Sequence, residues 1–437
     1  MYHASQITEE DSSGSPVAQP LTGLRQQKFG DGTVRNVEVA GTKIYTNDGT
    51  TRTDVTGTLS LTGGVNQRCL FAYMKDTLFG TNDLDETWKM TNSGNATDMT
   101  ASANVPWTSC RDLVAHKNLL VVMNTVESGT RYPTRIRWPD VTQGSLGIDV
   151  TNFPVDSKME VQEGGPPILG GGNIGNEAEG FFGVVKEDGV HMVEFILDEG
   201  FIEAVPRRQL TGSFNPVSKN GIIHNPHFGL FIIARDGVYV IRPDLSFELI
   251  TSGIQAEWNL LDKTQLRHAV SFIRQGDHQV RTLMTSSASS SRHDKVLVWD
   301  WEYGDIWFDS PSDEMNYATS WFTSDVEYDM LGSNDGYTHQ GNDATKTQDN
   351  GVDIDWKITM SPNDIEKAGI DKTIHGVITH FVAATGVNSI NFTAFLNEGR
   401  VQSRTETLSL GSELKWNDGT KWNSIGSAWP GEKTSLA

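Results

Sequence analysis

Residues 180–195 read GFFGVVKEDGVHMVEF. Two runs rich in Val and Phe, 181–185 and 190–195, flank Asp188-Gly189, and Asp-Gly accepts the positive φ values that a tight hairpin turn demands. The segment predicts two antiparallel strands. Residues 229–242, GLFIIARDGVYVIR, repeat the design, with 230–234 and 238–241 on either side of Asp236-Gly237, 48 positions after the first Asp-Gly step. Similar turns stand at Asp48-Gly49, after residues 42–46, and at Asp335-Gly336, between 329–332 and 337–339. A further hairpin joins 280–284 to 296–301 through the Ser-rich loop SSASSSRHD.

Short strands paired by hairpins and recurring about every 40 to 50 residues predict a β-propeller, in which each blade buries a face against the next. Residues 33–343 hold six or seven such blades, preceded by an N-terminal arm and lead-in over 1–32. Residues 254–270, IQAEWNLLDKTQLRHAV, break the pattern: Ile254, Trp258, Leu261 and Leu266 fall near one face of a short helix inserted between blades. The polar stretch 344–351 reads as a linker. Beyond it, 352–360, 374–383 and 389–396 alternate as strands do, so 352–437 is assigned to an appended, sandwich-like β domain. Trp416, Trp422 and Trp429 in its tail either cap a core or form a docking surface.

The composition limits the function. Of 437 residues, 37% are hydrophobic, and 43 Gly against only 15 Pro describe a folded, turn-rich chain rather than a disordered one. The 35 Lys+Arg against 56 Asp+Glu leave a net charge of −21, which disfavours tight nucleic-acid binding, since that affinity comes from Lys and Arg displacing counterions. Residues 1–20 have neither a basic region nor an apolar core and read as a flexible arm rather than a targeting peptide. No apolar run reaches the roughly 18 residues of a membrane span, so a soluble protein is expected. Cys69 and Cys110 are the only cysteines, which suits synthesis in a reducing cytoplasm and leaves room for one disulfide at most.

Several motifs tempt an enzymatic reading. TNDLDETW, residues 81–88, nearly fits the Asp-box of sialidase-type propellers, with Asp85 in the glycine position, and an Asp-box is a turn-stabilising element. Arg207-Arg208 is the one adjacent arginine pair offered for a carboxylate. His224 and His227 have an H-x-x-H spacing, but Pro226 forbids the helix that would bring both rings to one side. The Gly-rich run 164–175 lacks the Lys-Ser/Thr of a phosphate loop and is expected to be a loop passing close to neighbouring backbone. No G-x-S-x-G elbow occurs. The expectation is therefore a non-enzymatic protein, with no catalytic, cofactor-binding or metal-ligating residue nominated.

A likeness spans residues 180–341. Gly189-Val190 and Glu194-Phe195 are followed by VPRRQLTG (205–212), KNGIIHNP (219–226), FIIARDGVYVI (231–241), ELITSGIQAEW (248–258) and VLVWDW (296–301), then Tyr303-Gly304 and Trp307. This order resembles the tail hub or nozzle proteins of short-tailed bacteriophages, also called packaged-DNA stabilisation proteins. The resemblance implies a structural virion protein made in the host cytoplasm and located in the phage tail. Its partners would be its own copies in a ring, typically a homohexamer, the tail adaptor above it, and a tail needle, fibres or tailspikes. DNA would pass through the ring transiently and without sequence preference.

Surplus carboxylates on a channel wall would let DNA slide; alternatively, the charge only solubilises the chain. The expected contact segments are the arm 1–20, the Gly-rich run 164–175, the loop 286–293 and the Trp-rich tail. Two other classes compete: a carbohydrate-binding or glycan-degrading propeller used for receptor recognition, and a cytosolic propeller scaffold.

Overall fold

The computed structural model describes residues 6–10, 15–140, 152–176, 180–198, 201–210, 214–286, 293–311, 314–323 and 326–341, and beyond these the strand segments 348–349, 352–353, 389–394 and 404–409. Its contacts divide the chain into two units, Met1–Val352 and Asp353–Ala437.

The first unit is a seven-bladed β-propeller. Each of six sheets is a four-stranded antiparallel meander and the seventh, among the described residues, has three strands. The innermost strands are Leu21–Lys28, Leu70–Met74, Ser109–His116, Ile168–Ile174, Ile223–Asn225, Val270–Arg274 and Met315–Thr323, and we number the blades one to seven after them. Each innermost strand touches the next, and that of blade seven touches that of blade one, so the ring is closed.

The apolar side chains lie between blades, not within them, because every sheet has two faces to cover. Phe182, Val184 and Phe195 of blade four pack on Val121, Met123 and Ile136 of blade three. Phe231 and Val240 of blade five meet Val280, Leu297 and Trp299 of blade six. One cluster spans blades six, seven and one, with Phe272, Met330, Leu21 and Leu24 among its members.

The predicted hairpins form in register. Phe181–Lys186 pairs Gly189–Asp198 around Asp188-Gly189, and Gly229–Ile233 pairs Val238–Ile241 around Asp236-Gly237. Gly189 and Gly336 take φ of 143° and 85°, in the region glycine favours. Gln279–Met284 pairs Lys295–Asp300 across the Ser-rich loop.

Four expectations need correction. The first blade begins at Leu21, inside the segment assigned to the lead-in; its strand LTGLRQQK turns polar in its second half, which hides the alternation. The N-terminal arm is docked where it is described. Thr8–Glu10 pairs Pro16–Ala18, Ile7 is buried in the core of blades six, seven and one, and the Ile7 N–H donates to the Gly336 carbonyl at 3.0 Å. The Gly-rich run is no surface loop: Ile168–Ile174 is the innermost strand of blade four and is buried throughout. Its glycines serve close approach, since a Cβ on Gly170 would stand 2.6 Å from Asp112 Oδ2 and one on Gly172 2.6 Å from Leu230 Cδ1. The inserted helix is shorter than expected, Gln255–Leu260, and breaks at Leu261 into an extended residue before the 3-10 turn Leu266–His268; Trp258, Leu261 and Leu266 are buried.

Of the segment read as a linker, Gln348–Asp349 is a short strand. In the second unit Ser389–Ala394 pairs antiparallel with Arg404–Ser409. Of the strand expected over 352–360 only Val352–Asp353 is described, paired with Gln348–Asp349; the strand expected over 374–383, Trp416, Trp422 and Trp429 lie outside the described residues.

Candidate functional site

At one face of the propeller, polar residues at or just before the start of five innermost strands gather at the axis. Arg68-Cys69 arrive at blade two, Arg111-Asp112 lie early in blade three, Lys219-Asn220 precede blade five, Arg267-His268 precede blade six, and Asn316-Tyr317 open blade seven. These side chains reach across the ring. Asn220 Nδ2 of blade five donates to the Cys69 carbonyl of blade two at 3.3 Å, and the Tyr317 hydroxyl of blade seven donates to the same oxygen at 2.7 Å. Blades two and five stand three places apart in a ring of seven, so this bond crosses the axis.

Arg68 ties the cluster together. Its Nε donates to the Asn316 carbonyl at 3.0 Å and its Nη2 to His293 Nε2 at 3.3 Å. A guanidinium only donates, so His293 Nε2 must accept and its proton sits on Nδ1, which donates to Thr285 Oγ1 at 3.2 Å. Burial drives His293 well below the ordinary histidine range and lowers Arg68 to about 10. Asn316 Nδ2 donates to the Leu21 carbonyl at 2.7 Å, linking blade seven to blade one.

Deeper along the axis the chemistry is the same. Asp112 is buried and accepts the backbone N–H of Leu113 at 2.7 Å and of Gly171 at 2.9 Å. Burial nevertheless pushes its carboxyl up to about 7. Asn173 accepts from His116 Nδ1 at 2.6 Å and donates through Nδ2 to the Ala115 carbonyl at 3.0 Å and to His224 Nε2 at 3.1 Å. Both imidazoles are lowered to about 4 by burial, and they are neutral.

The motifs singled out in the sequence fall into place. His224 belongs to this axial network, while His227 is exposed and its N–H donates to Asn225 Oδ1, so the two rings do not converge. Arg207 is ion-paired with Glu194. TNDLDETW is the turn between Thr77–Thr81 and Trp88–Met90 of blade two. Asn82 Oδ1 accepts the N–H of Leu84 and of Asp85, and Asp85 accepts from Thr62 N and Oγ1, both at 2.6 Å. The positive φ of that turn falls on Asp83, at 79°, which explains why Asp85 need not be glycine.

Cys69 and Cys110 are free, buried and pushed up to about 12, which makes them poor nucleophiles. Of the expected contact loop, Ser286 is clamped by Asp294 and His293 is the buried axial residue; 287–292 lie outside the described residues. Among the described residues no group of three or more His, Cys, Asp or Glu is placed to hold a metal.

The axial cluster itself was not visible in the sequence. Arg68, Arg111, Lys219 and Asn316 share only a position near the start of an innermost strand, and His293 comes from between the second and third strands of blade six, so the cluster becomes readable only once the blades are aligned.

No family's sequence profile matches the chain, and no curated protein matches it. Solved structures match the chain at low identity. The chain solved as BBS1N in complex with ARL6DN is 9% identical, with a TM-score of 0.43, over 77% of this chain and 95% of that one. PorZ of Porphyromonas gingivalis is 12% identical, with a TM-score of 0.44, over 74% of this chain and 37% of its own. The extracellular domain of BT4673 from B. thetaiotaomicron is 9% identical, with a TM-score of 0.44, over 77% of this chain and 39% of its own. These likenesses concern the fold alone.

Proposed function

We propose that the chain is a structural virion protein, a tail hub or nozzle subunit that surrounds and extends the DNA channel of a short-tailed phage. The observation that carries the reading is the run 180–258, whose order of motifs resembles those proteins and which folds as the outer three strands of blade four, blade five and most of the inserted helix. The closed axis refines it. Asn220, Tyr317 and Arg68 bridge the ring from opposite blades, so a duplex whose major groove alone is about 12 Å wide cannot thread one propeller. A DNA channel built from this chain must run between copies, each propeller serving as a wedge of its wall. The net charge of −21 would then lower the friction of DNA passage, provided the carboxylates face inward.

Reconstitution tests the reading. The full chain is mixed with a portal–adaptor complex and imaged. A ring of copies below the adaptor, enclosing a tube, is the expected result. A stable monomer that never joins the complex, or a ring with a basic wall, refutes it, as does turnover of host polysaccharide by the purified chain.

A further inference from the structure

Two cations on the axial face have hydrogen-bonding capacity that the fold leaves unused. Lys219 arrives on the connector before blade five; its ammonium is shut off from solvent and has no hydrogen-bond partner. Arg111, on the innermost strand of blade three, has an Nε that is likewise buried and unpartnered, and its one ion-pair neighbour among the described residues, Asp83 Oδ2, stands 3.9 Å away. Asp83 already holds Arg131 on its other oxygen and hydrogen-bonds neither Lys219 nor Arg111 Nε. The remaining ionisable groups that act on Lys219 are Cys69 and Asp112. The Cys69 thiol is neutral, and both Asp112 oxygens already accept backbone N–H groups.

Three cations, Lys219, Arg111 and Arg131, therefore converge on the single carboxylate of Asp83, within a chain whose overall charge is strongly negative. A buried cation without a partner is costly, and the cost is relieved by an anion that accepts its hydrogen bonds. The cluster reaches solvent on the Asp83 side, where the side chains of Arg111, Asp83 and Arg131 are 27%, 23% and 37% exposed.

We infer that this face of the propeller is an anion site, taking a small oxyanion of the phosphate class between Lys219 and Arg111. The planar guanidinium would meet two of its oxygens and the ammonium a third, which is the division of labour these side chains suit. The inference does not rest on the virion reading; a propeller of any function would carry the same pair.

The test is calorimetric titration of the full chain with inorganic phosphate in a buffer free of other oxyanions. The expected result is saturable binding of one phosphate per chain, weakened at least about tenfold in both Lys219→Met and Arg111→Gln. Lys28→Gln, at an exposed lysine ending the innermost strand of blade one, leaves binding unchanged. Removing a buried charge can unfold a protein, so Lys219→Arg, which keeps the charge, is the second arm and retains binding. A density map of the native chain in phosphate places the ion between Lys219 and Arg111. No saturable binding by the native chain, equal binding after both charge removals, or density at another place would overturn the inference.

Discussion

Replacing Asp112 by asparagine isolates the electrostatics of the closed axis. Burial lifts this carboxyl from 3.8 to about 7, so between those values the folded chain holds a proton that the unfolded chain has released. The folded state binds more protons in that window, and its stability must fall as pH rises through it. At 1.36 kcal/mol per tenfold change in proton affinity, the full effect is about 4 kcal/mol, and most of it, about 3 kcal/mol, falls between about pH 5 and about pH 8.

The buried neutral histidines His116 and His293 and the half-buried His224 pull the other way. Their folded pKa values lie below the unfolded 6.5, so they favour folding as pH rises. Subtracting the variant from the native chain cancels them. In Asp112→Asn the amide keeps one acceptor for the two N–H groups of Leu113 and Gly171, which costs about 1–3 kcal/mol at every pH. The assay is urea unfolding followed by tryptophan fluorescence at both pH values. The native chain should be the more stable at the lower pH, with its margin shrinking by about 3 kcal/mol at the higher. A margin that stays constant or grows with pH would refute the assignment of a protonated, desolvated carboxyl.

Other outcomes follow from the packing. In Gly80→Ala the new Cβ would stand 2.2 Å from Cζ2 of the buried Trp88 indole, so a loss of about 1–3 kcal/mol or more is expected in thermal or urea melts. Ile7→Ala should cost about 2–4 kcal/mol, since Ile7 fills the core of blades six, seven and one; no change would mean the N-terminal hairpin is not docked in solution. A thiol reagent should modify neither Cys69 nor Cys110 in the folded chain and both in denaturant, counted by mass. Asp85→Ala should cost about 2 kcal/mol or more by removing the acceptor for Thr62 and Asn82, leaving the hairpin turn of blade two the first to exchange its amide hydrogens.

Blade architecture was legible wherever an Asp-Gly turn sat between apolar runs, because both strand and turn chemistry then point the same way. It failed where the ring's centre overrides local pattern. Ile168–Ile174, three of whose seven residues are glycine, reads as a loop by composition, yet it is a strand because Asp112, Leu230 and His224 occupy the space its side chains would need. The polar end of Leu21–Lys28 likewise looked like lead-in sequence. Ile7 is an isolated apolar residue between polar neighbours in the arm, too little signal to show docking. The axial cluster was hidden for another reason: Arg68, Arg111, Lys219 and His293 are far apart in the chain, and only ring closure makes them neighbours.

Blades seven and one meet without sharing a strand among the described residues. Their union rests on side chains, with Thr338 Oγ1 donating to Glu38 Oε1 at 2.8 Å, Arg52 donating to Thr338, and Gln26 exchanging hydrogen bonds with the Phe322 backbone. The partners Glu38 and Thr338 are 300 residues apart. During synthesis the first wedge must therefore wait, its Leu21 and Leu24 uncovered, until nearly all the others have left the ribosome. The same clasp is where a pulled or heated disc would spring open first.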